Sequence, residues 1–269
     1  MVVFPTCKIN LGLNIIAKRP DGFHNIESCF YPVGWTDVLE MVPAESFAFA
    51  STGIPIPGDA AGNLCVKAYQ FLQKDFSLPP VSIHLHKVIP IGAGLGGGSA
   101  DGAFCIKLLN QVFALNLTVA QMQEYARRLG SDCAFFIENT PVFCYGKGDQ
   151  FRDIQVDLSK YYIALVNPQI HIGTAEAYAG ITPAEPERKI EEILALPIER
   201  WKEYLINDFE KNIFANYPGI RQIKDSLYTH GAVYASMSGS GSTVYGIFEK
   251  ETDVKSLFPE HYQLWQGKL

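Results

Sequence analysis

Apolar and polar positions alternate over residues 10–16, the period of a strand. A second run, residues 81–86, sets Val81, Ile83 and Leu85 on one face. Between them, residues 64–74 carry helical spacing. A longer helix is predicted over residues 99–114, where Ala100, Phe104, Leu108 and Val112 recur every four residues beside Cys105, Leu109 and Phe113. Thr118 can cap a further helix that runs through Leu129 and ends at Gly130.

The pattern restarts after Gly146-Lys147-Gly148-Asp149. Residues 161–166 form a β-rich run stopped by Asn167-Pro168. Residues 182–187, polar and proline-rich, predict an exposed loop. Helical stretches follow at 189–207, interrupted at Pro197, and at 219–229. Two β-like runs, 232–237 and 243–249, are joined by Ser238-Gly239-Ser240-Gly241-Ser242. A boundary near residue 155 is expected, giving an N-terminal domain over 1–155 and a C-terminal domain over 156–269.

Composition narrows the function classes. At 269 residues the chain suits one large domain or two modest ones. With 48% hydrophobic and 19% charged residues it has the balance of a globular protein. Its net charge of −6 argues against nucleic acid or an anionic membrane as partner, because both reward a basic face. A small anionic ligand needs only a local cluster of donors. No stretch reaches the ~18 apolar residues of a membrane span. The N-terminus lacks the pattern of a secretory signal. Six cysteines lie scattered without a Cys-x-x-Cys pair, which predicts neither a zinc site nor a disulfide framework. A soluble protein of the reducing cytoplasm is expected.

The most informative segment is Pro90-Ile91-Gly92-Ala93-Gly94-Leu95-Gly96-Gly97-Gly98-Ser99-Ala100-Asp101, between a strand and an amphipathic helix. Its glycines let backbone N–H groups close on a ligand, and a helix N-terminus adds donors and partial positive charge for phosphate. Ser99 can cap the helix, bind phosphate or ligate Mg²⁺. The dinucleotide fingerprint fits formally, but no second strand ending in an acid follows. The Walker A pattern fails, since no Gly-Lys-Ser/Thr closes the loop. A flexible turn without ligand is the bland alternative.

That loop resembles the phosphate loop of the GHMP small-molecule kinases. Four further segments fall in the family's order: Cys7-Lys8-Ile9-Asn10 with Arg19 to His24, Leu129 to Phe136, Asn167-Pro168 with Thr174 and Tyr178, and Met237 to Ser242. The likeness spans nearly the whole chain. It implies an α+β fold in two domains, an N-terminal α/β domain and a ferredoxin-like C-terminal domain, with the active site between them. It also implies ATP, Mg²⁺ with it, and transfer of a phosphoryl group to an alcohol.

The resemblance assigns roles residue by residue. Asp132 becomes the catalytic base and Lys8 its partner; alone, they read equally as a helix-terminal cap and a solvated strand-edge charge. The ATP phosphates fall to Pro90, Ile91, Gly92, Ala93, Gly94, Leu95, Gly96, Gly97, Gly98, Ser99 and Ala100. Asn63 and Lys87 match positions facing the nucleotide. The implied acceptor is a cytidine diphosphate-linked methylerythritol, phosphorylated at its 2-hydroxyl. Phe23 and Tyr178 would sandwich the cytosine, His24 contact its edge, and Asn10 hold the acceptor hydroxyls. Ordinary buried aromatics and a turn histidine are the alternatives. Metal ligands and oligomeric state stay unassigned, and His84 with His86 read as a solvated strand face. Cys7, Phe23, Ser131, Cys133 and Ala134 depart from the family pattern but keep size or stacking ability. The rivals are a GHMP kinase for homoserine or mevalonate and a catalytically silent nucleotide-binding module.

Overall fold

The computed structural model describes residues 1–269. The first strands are β1 (Val2–Val3), β2 (Thr6–Lys18), β3 (His24–Thr36), β4 (Val38–Pro43), β5 (Ala48–Gly53) and β6 (Val81–Lys87). After them come β7 (Val142–Tyr145), β8 (Gln150–Asp153), β9 (Tyr162–Asn167), β10 (Tyr234–Met237), β11 (Val244–Phe248) and β12 (Gln263–Lys268). The helices are α1 (Leu64–Phe76), α2 (Gly97–Val112), α3 (Val119–Leu129), α4 (Phe135–Glu138) and α5 (Thr174–Tyr178). Four more follow: α6 (Ile190–Leu194), α7 (Trp201–Tyr204), α8 (Phe209–Asn216) and α9 (Pro218–Thr229). The architecture is α+β, as expected, in two compact units.

The first unit comprises Met1–Cys7, Trp35–Ile91 and Gly96–Thr140. Its sheet runs β1-β4-β6-β5, with β6 antiparallel to β4 and parallel to β5. Val81, Ile83 and Leu85 are fully buried, while Ser82, His84 and His86 alternate with them toward solvent. Lys87 continues the buried face. α1 and α2 pack together, and α3 lies against both. Local chemistry sets the helix ends. Asn63 caps α1 through the Cys65 amide at 2.9 Å, and Thr118 opens α3 with a capping box that includes Gln121.

The second unit comprises Lys8–Gly34, Gly92–Leu95 and Pro141–Leu269. It holds a sheet β2-β3-β7-β8 and an antiparallel sheet β10-β11-β9-β12. α9 covers β10 and β11, burying Ile220, Ile223 and Leu227 with Ala235, Met237, Val244 and Phe248. By compactness, Lys8–Gly34 and Gly92–Leu95 thus group with Pro141–Leu269.

Two local expectations change, and one strand enters that the pattern did not announce. Strand β2 is buried on both faces from Cys7 to Ile15, so its alternation is of chemistry rather than of exposure. Strand β3 carries no period-two signal, because Asn25, Glu27, Pro32 and Gly34 interrupt it. The helix expected over 189–207 breaks into α6, a 3₁₀ turn at Ile198–Arg200 and α7. Beyond it, Ile206 and Asp208 pair with Leu13 of β2 at 2.9 Å each, which pulls the backbone into extended form.

Candidate active site

Along β2 the residues Cys7, Ile9, Leu11, Leu13 and Ile15 are apolar, and Lys8, Asn10 and Asn14 alternate with them. All three polar side chains are at most 5% exposed. A buried cation is costly unless its donors are met. The Lys8 ammonium donates to Asn10 Oδ1 at 2.5 Å and to the Gly94 carbonyl at 3.3 Å, and it stands 4.7 Å from the Phe30 ring centroid. Asn10 donates to Ser28 Oγ at 2.8 Å, and its carbonyl accepts the Tyr245 hydroxyl at 2.7 Å. At Asn14 the partner is Asp208, whose carboxyl burial pushes up in pKa, with the Ile15 amide and Asn14 opposing.

The Gly92–Leu95 part of the loop is tied to the same strand and to the turn after β10. The Lys8 amide donates to the Leu95 carbonyl at 2.9 Å, and Ser238 Oγ donates to that of Gly94 at 2.8 Å. Gly94 has φ +79°, and a Cβ there would run into the Ser238 carbonyl. Only glycine meets both demands. The turn is held in its place by Asn207, whose amide donates to the Met237 and Gly239 carbonyls at 2.8 Å each.

In the first unit, α2 begins at Gly97 behind Gly96, a left-handed cap at φ +68° that offers no side chain. The first-turn amides are therefore available to an anion. Ser99 faces Cys133, the residue after Asp132. Burial pushes the Cys133 thiol up to about 12, with the Ser99 hydrogen bond opposing and the Asp132 charge adding. Asp132 itself is half-buried on the turn that leads into α4. Asn63 caps α1 through its side-chain oxygen, and Lys87 is 3% exposed between Asp37 and Asp101. Burial alone would lower the Lys87 pKa; Asp101 and Asp37 outweigh it and raise it.

The residues expected at the base are partly assembled. His24 stacks on Tyr178 with centroids 4.4 Å apart, and Tyr178 meets Phe209 edge-on. The pKa of His24 is lowered, by burial first and then by the Lys18 charge. Phe23 is open to solvent. It is 57% exposed, with the Lys147 ammonium 5.1 Å above its ring. Sequence reasoning missed Ser28, Asp37, Asp101 and Asn207. Only Asp101 had a visible signal, as a carboxylate inside the helix that leaves the glycine loop.

The descriptions "GHMP kinases N terminal domain" and "GHMP kinases C terminal" match residues 63–147 and 189–262. A Cytophaga hutchinsonii protein named 4-diphosphocytidyl-2-C-methyl-D-erythritol kinase is 54% identical over 94% of this chain and 94% of its own. A Parabacteroides distasonis protein of that name is 49% identical over the full length of both chains. A crystal structure of 4-(cytidine 5'-diphospho)-2C-methyl-D-erythritol kinase superposes with a TM-score of 0.77 at 28% identity, over 91% of this chain and 89% of that one. One of mevalonate kinase superposes at 0.72 with 15% identity, over 99% and 98%, a likeness of fold. Family models, relatives and the phosphate loop agree: the chain belongs to the GHMP kinase family.

Proposed function

We propose that the chain transfers the γ-phosphoryl group of ATP to the 2-hydroxyl of 4-diphosphocytidyl-2-C-methyl-D-erythritol. One observation carries this reading: identities of 54% and 49% to two proteins of that name, over 94% and 100% of this chain. Asp132 accepts the hydroxyl proton as general base. Lys8 stabilises charge on the phosphoryl group in flight, as a preorganised buried cation does. Asn10, which orients Lys8, holds the acceptor hydroxyls. The glycine loop binds the ATP phosphates from Pro90 to Ala100, where Mg²⁺ brought by the nucleotide would neutralise part of their charge.

Phe23, His24 and Tyr178 hold the cytosine. Since His24 lies on the Tyr178 ring, a base clasped between Phe23 and Tyr178 shares that stack or displaces the imidazole. Residues 1–155 form the N-terminal ATP- and substrate-binding domain, and residues 156–269 form the C-terminal module, which lends Tyr178 to the acceptor. No helix is long and apolar enough to cross a membrane; the proposal places the enzyme in the cytoplasm, where ATP is supplied. The test is ADP release with MgATP and this acceptor, set against homoserine and mevalonate. Preference for the cytidylated acceptor is expected, and equal or greater turnover with either alternative would overturn the substrate.

A further inference from the structure

The glycine loop has to present its amides in one arrangement, yet glycine loses more conformational freedom on ordering than any other residue. Its two ends therefore need an anchor. A buried ion cluster in the first unit supplies one. Lys87 ends β6 at the entrance to the loop, and its ammonium reaches Asp37 at 2.5 Å and Asp101 at 2.7 Å. All three residues are at most 3% exposed.

The partners of the cluster lie on both sides of the loop. At the entrance, Asp37 Oδ1 accepts the amides of Val88 and Ile89 at 2.6 and 2.8 Å. At the exit, Asp101 sits on α2 one turn beyond its start. Gly97, the first residue of α2, lies so close that an added Cβ would stand 3.0 Å from Lys87 Nζ and 2.8 Å from Ile89 Cγ2. Strand end, ammonium and helix start thus form one packed unit.

Stability alone does not account for such a cluster. Desolvating an ion group costs about as much as its attraction returns, and apolar side chains of the same volume often do as well. Period-two spacing also sets Lys87 on a face otherwise filled by Val81, Ile83 and Leu85. What charges add over an apolar filling is direction, since each carboxylate fixes where the ammonium sits and which backbone segment it joins.

We propose that Lys87, held by Asp37 and Asp101, is a positioning residue that sets the glycine loop for nucleotide phosphate. It acts through the two ends of the loop, with its ammonium enclosed by carboxylates, and the inference rests on the phosphate-binding reading above. Lys87→Met alone would leave two carboxylates buried without a cation, which can unfold the chain. The charge-free variant Lys87→Met/Asp37→Asn/Asp101→Asn avoids that and keeps side-chain volume. By calorimetry it is expected to bind MgATP about tenfold more weakly, with the acceptor KM unchanged. Asp101→Asn, the mildest change, leaves Lys87 an acceptor and is expected to lose about threefold in the same titration. A merely structural cluster would lower the melting temperature and leave the MgATP dissociation constant of the folded protein unchanged. That result in either folded variant would overturn the proposal. A wild type that binds no MgATP would overturn the phosphate-binding reading as well, so the two failures are distinguishable.

Discussion

The Lys8 ammonium lies 2.5 Å from the side-chain oxygen of Asn10, and the two side chains share the polar face of β2. Neither is left to find its own orientation. Ser28 holds the Asn10 amide at 2.8 Å, and Tyr245 holds its backbone carbonyl at 2.7 Å. A lysine fixed in this way is set before substrate arrives, and preorganisation of that kind is what makes a buried cation effective on developing charge.

Removing that cation should therefore strike the chemical step. Lys8→Met is expected to lower kcat by about 10²–10³. Asp132→Ala is expected to lower it by about 10²–10⁴, the range for loss of a general base. Steady-state kinetics at saturating ATP and acceptor read both, and a near-normal kcat in either variant rejects that residue's role.

The aromatic pair should matter to the acceptor and not to ATP. Base-on-ring stacking contributes about 1–3 kcal/mol, so Tyr178→Ala is expected to raise the acceptor KM about tenfold or more. Phe23→Ala is expected to move the same constant in the same direction. An acceptor KM that stays put in both variants contradicts the clasp.

Gly94 and Gly98 separate packing from flexibility within one loop. Gly94 combines φ +79° with the Ser238 carbonyl at its Cβ position, whereas nothing lies within 4 Å of a Cβ at Gly98. Gly94→Ala is expected to cost about 1–3 kcal/mol of stability and to weaken ATP binding. Gly98→Ala, in the first turn of α2, is expected to gain up to about 1 kcal/mol in stability. Thermal melts of the two variants check the contrast.

Asp101 makes stability depend on pH. Burial pushes its carboxyl up, Lys87 opposes and Asp37 adds, leaving it at about 7 against an ordinary 3.8. The folded state then binds the proton more tightly than the unfolded chain. Its contribution is full below pH 3.8 and is lost as pH rises through about 7. Asp101→Asn removes that slope. Melting temperatures from pH 4 to 8 are expected to fall more steeply in the wild type than in the variant. Parallel curves contradict the assignment.

Much of this was legible in the chain because the signal was local. Thr118, Gln121 and Gly130 mark α3 at both ends, and the glycines mark the loop. The alternation in β2 was visible too, though its meaning was not: Lys8 and Asn10 meet Phe30, Ser28 and Tyr245, and Asn14 meets Asp208, none of them adjacent in sequence. Lys87 shows the same limit. Its spacing from Val81, Ile83 and Leu85 set it on the buried face, but Asp37, which makes that placement tolerable, lies 50 residues earlier. The 189–207 stretch looked helical because nothing nearby announces that Leu13 claims the backbone of Ile206 and Asp208. Long-range pairing decided what local pattern left open.

The central claim is the transfer itself, and identifying the product tests it most directly. The protein is incubated with MgATP and 4-diphosphocytidyl-2-C-methyl-D-erythritol, and the acceptor is recovered for mass and ³¹P spectroscopy. The account predicts one added phosphoryl group, on the 2-hydroxyl, in step with ADP. ADP release with the acceptor recovered unchanged, or a phosphoryl group on another hydroxyl, would contradict it.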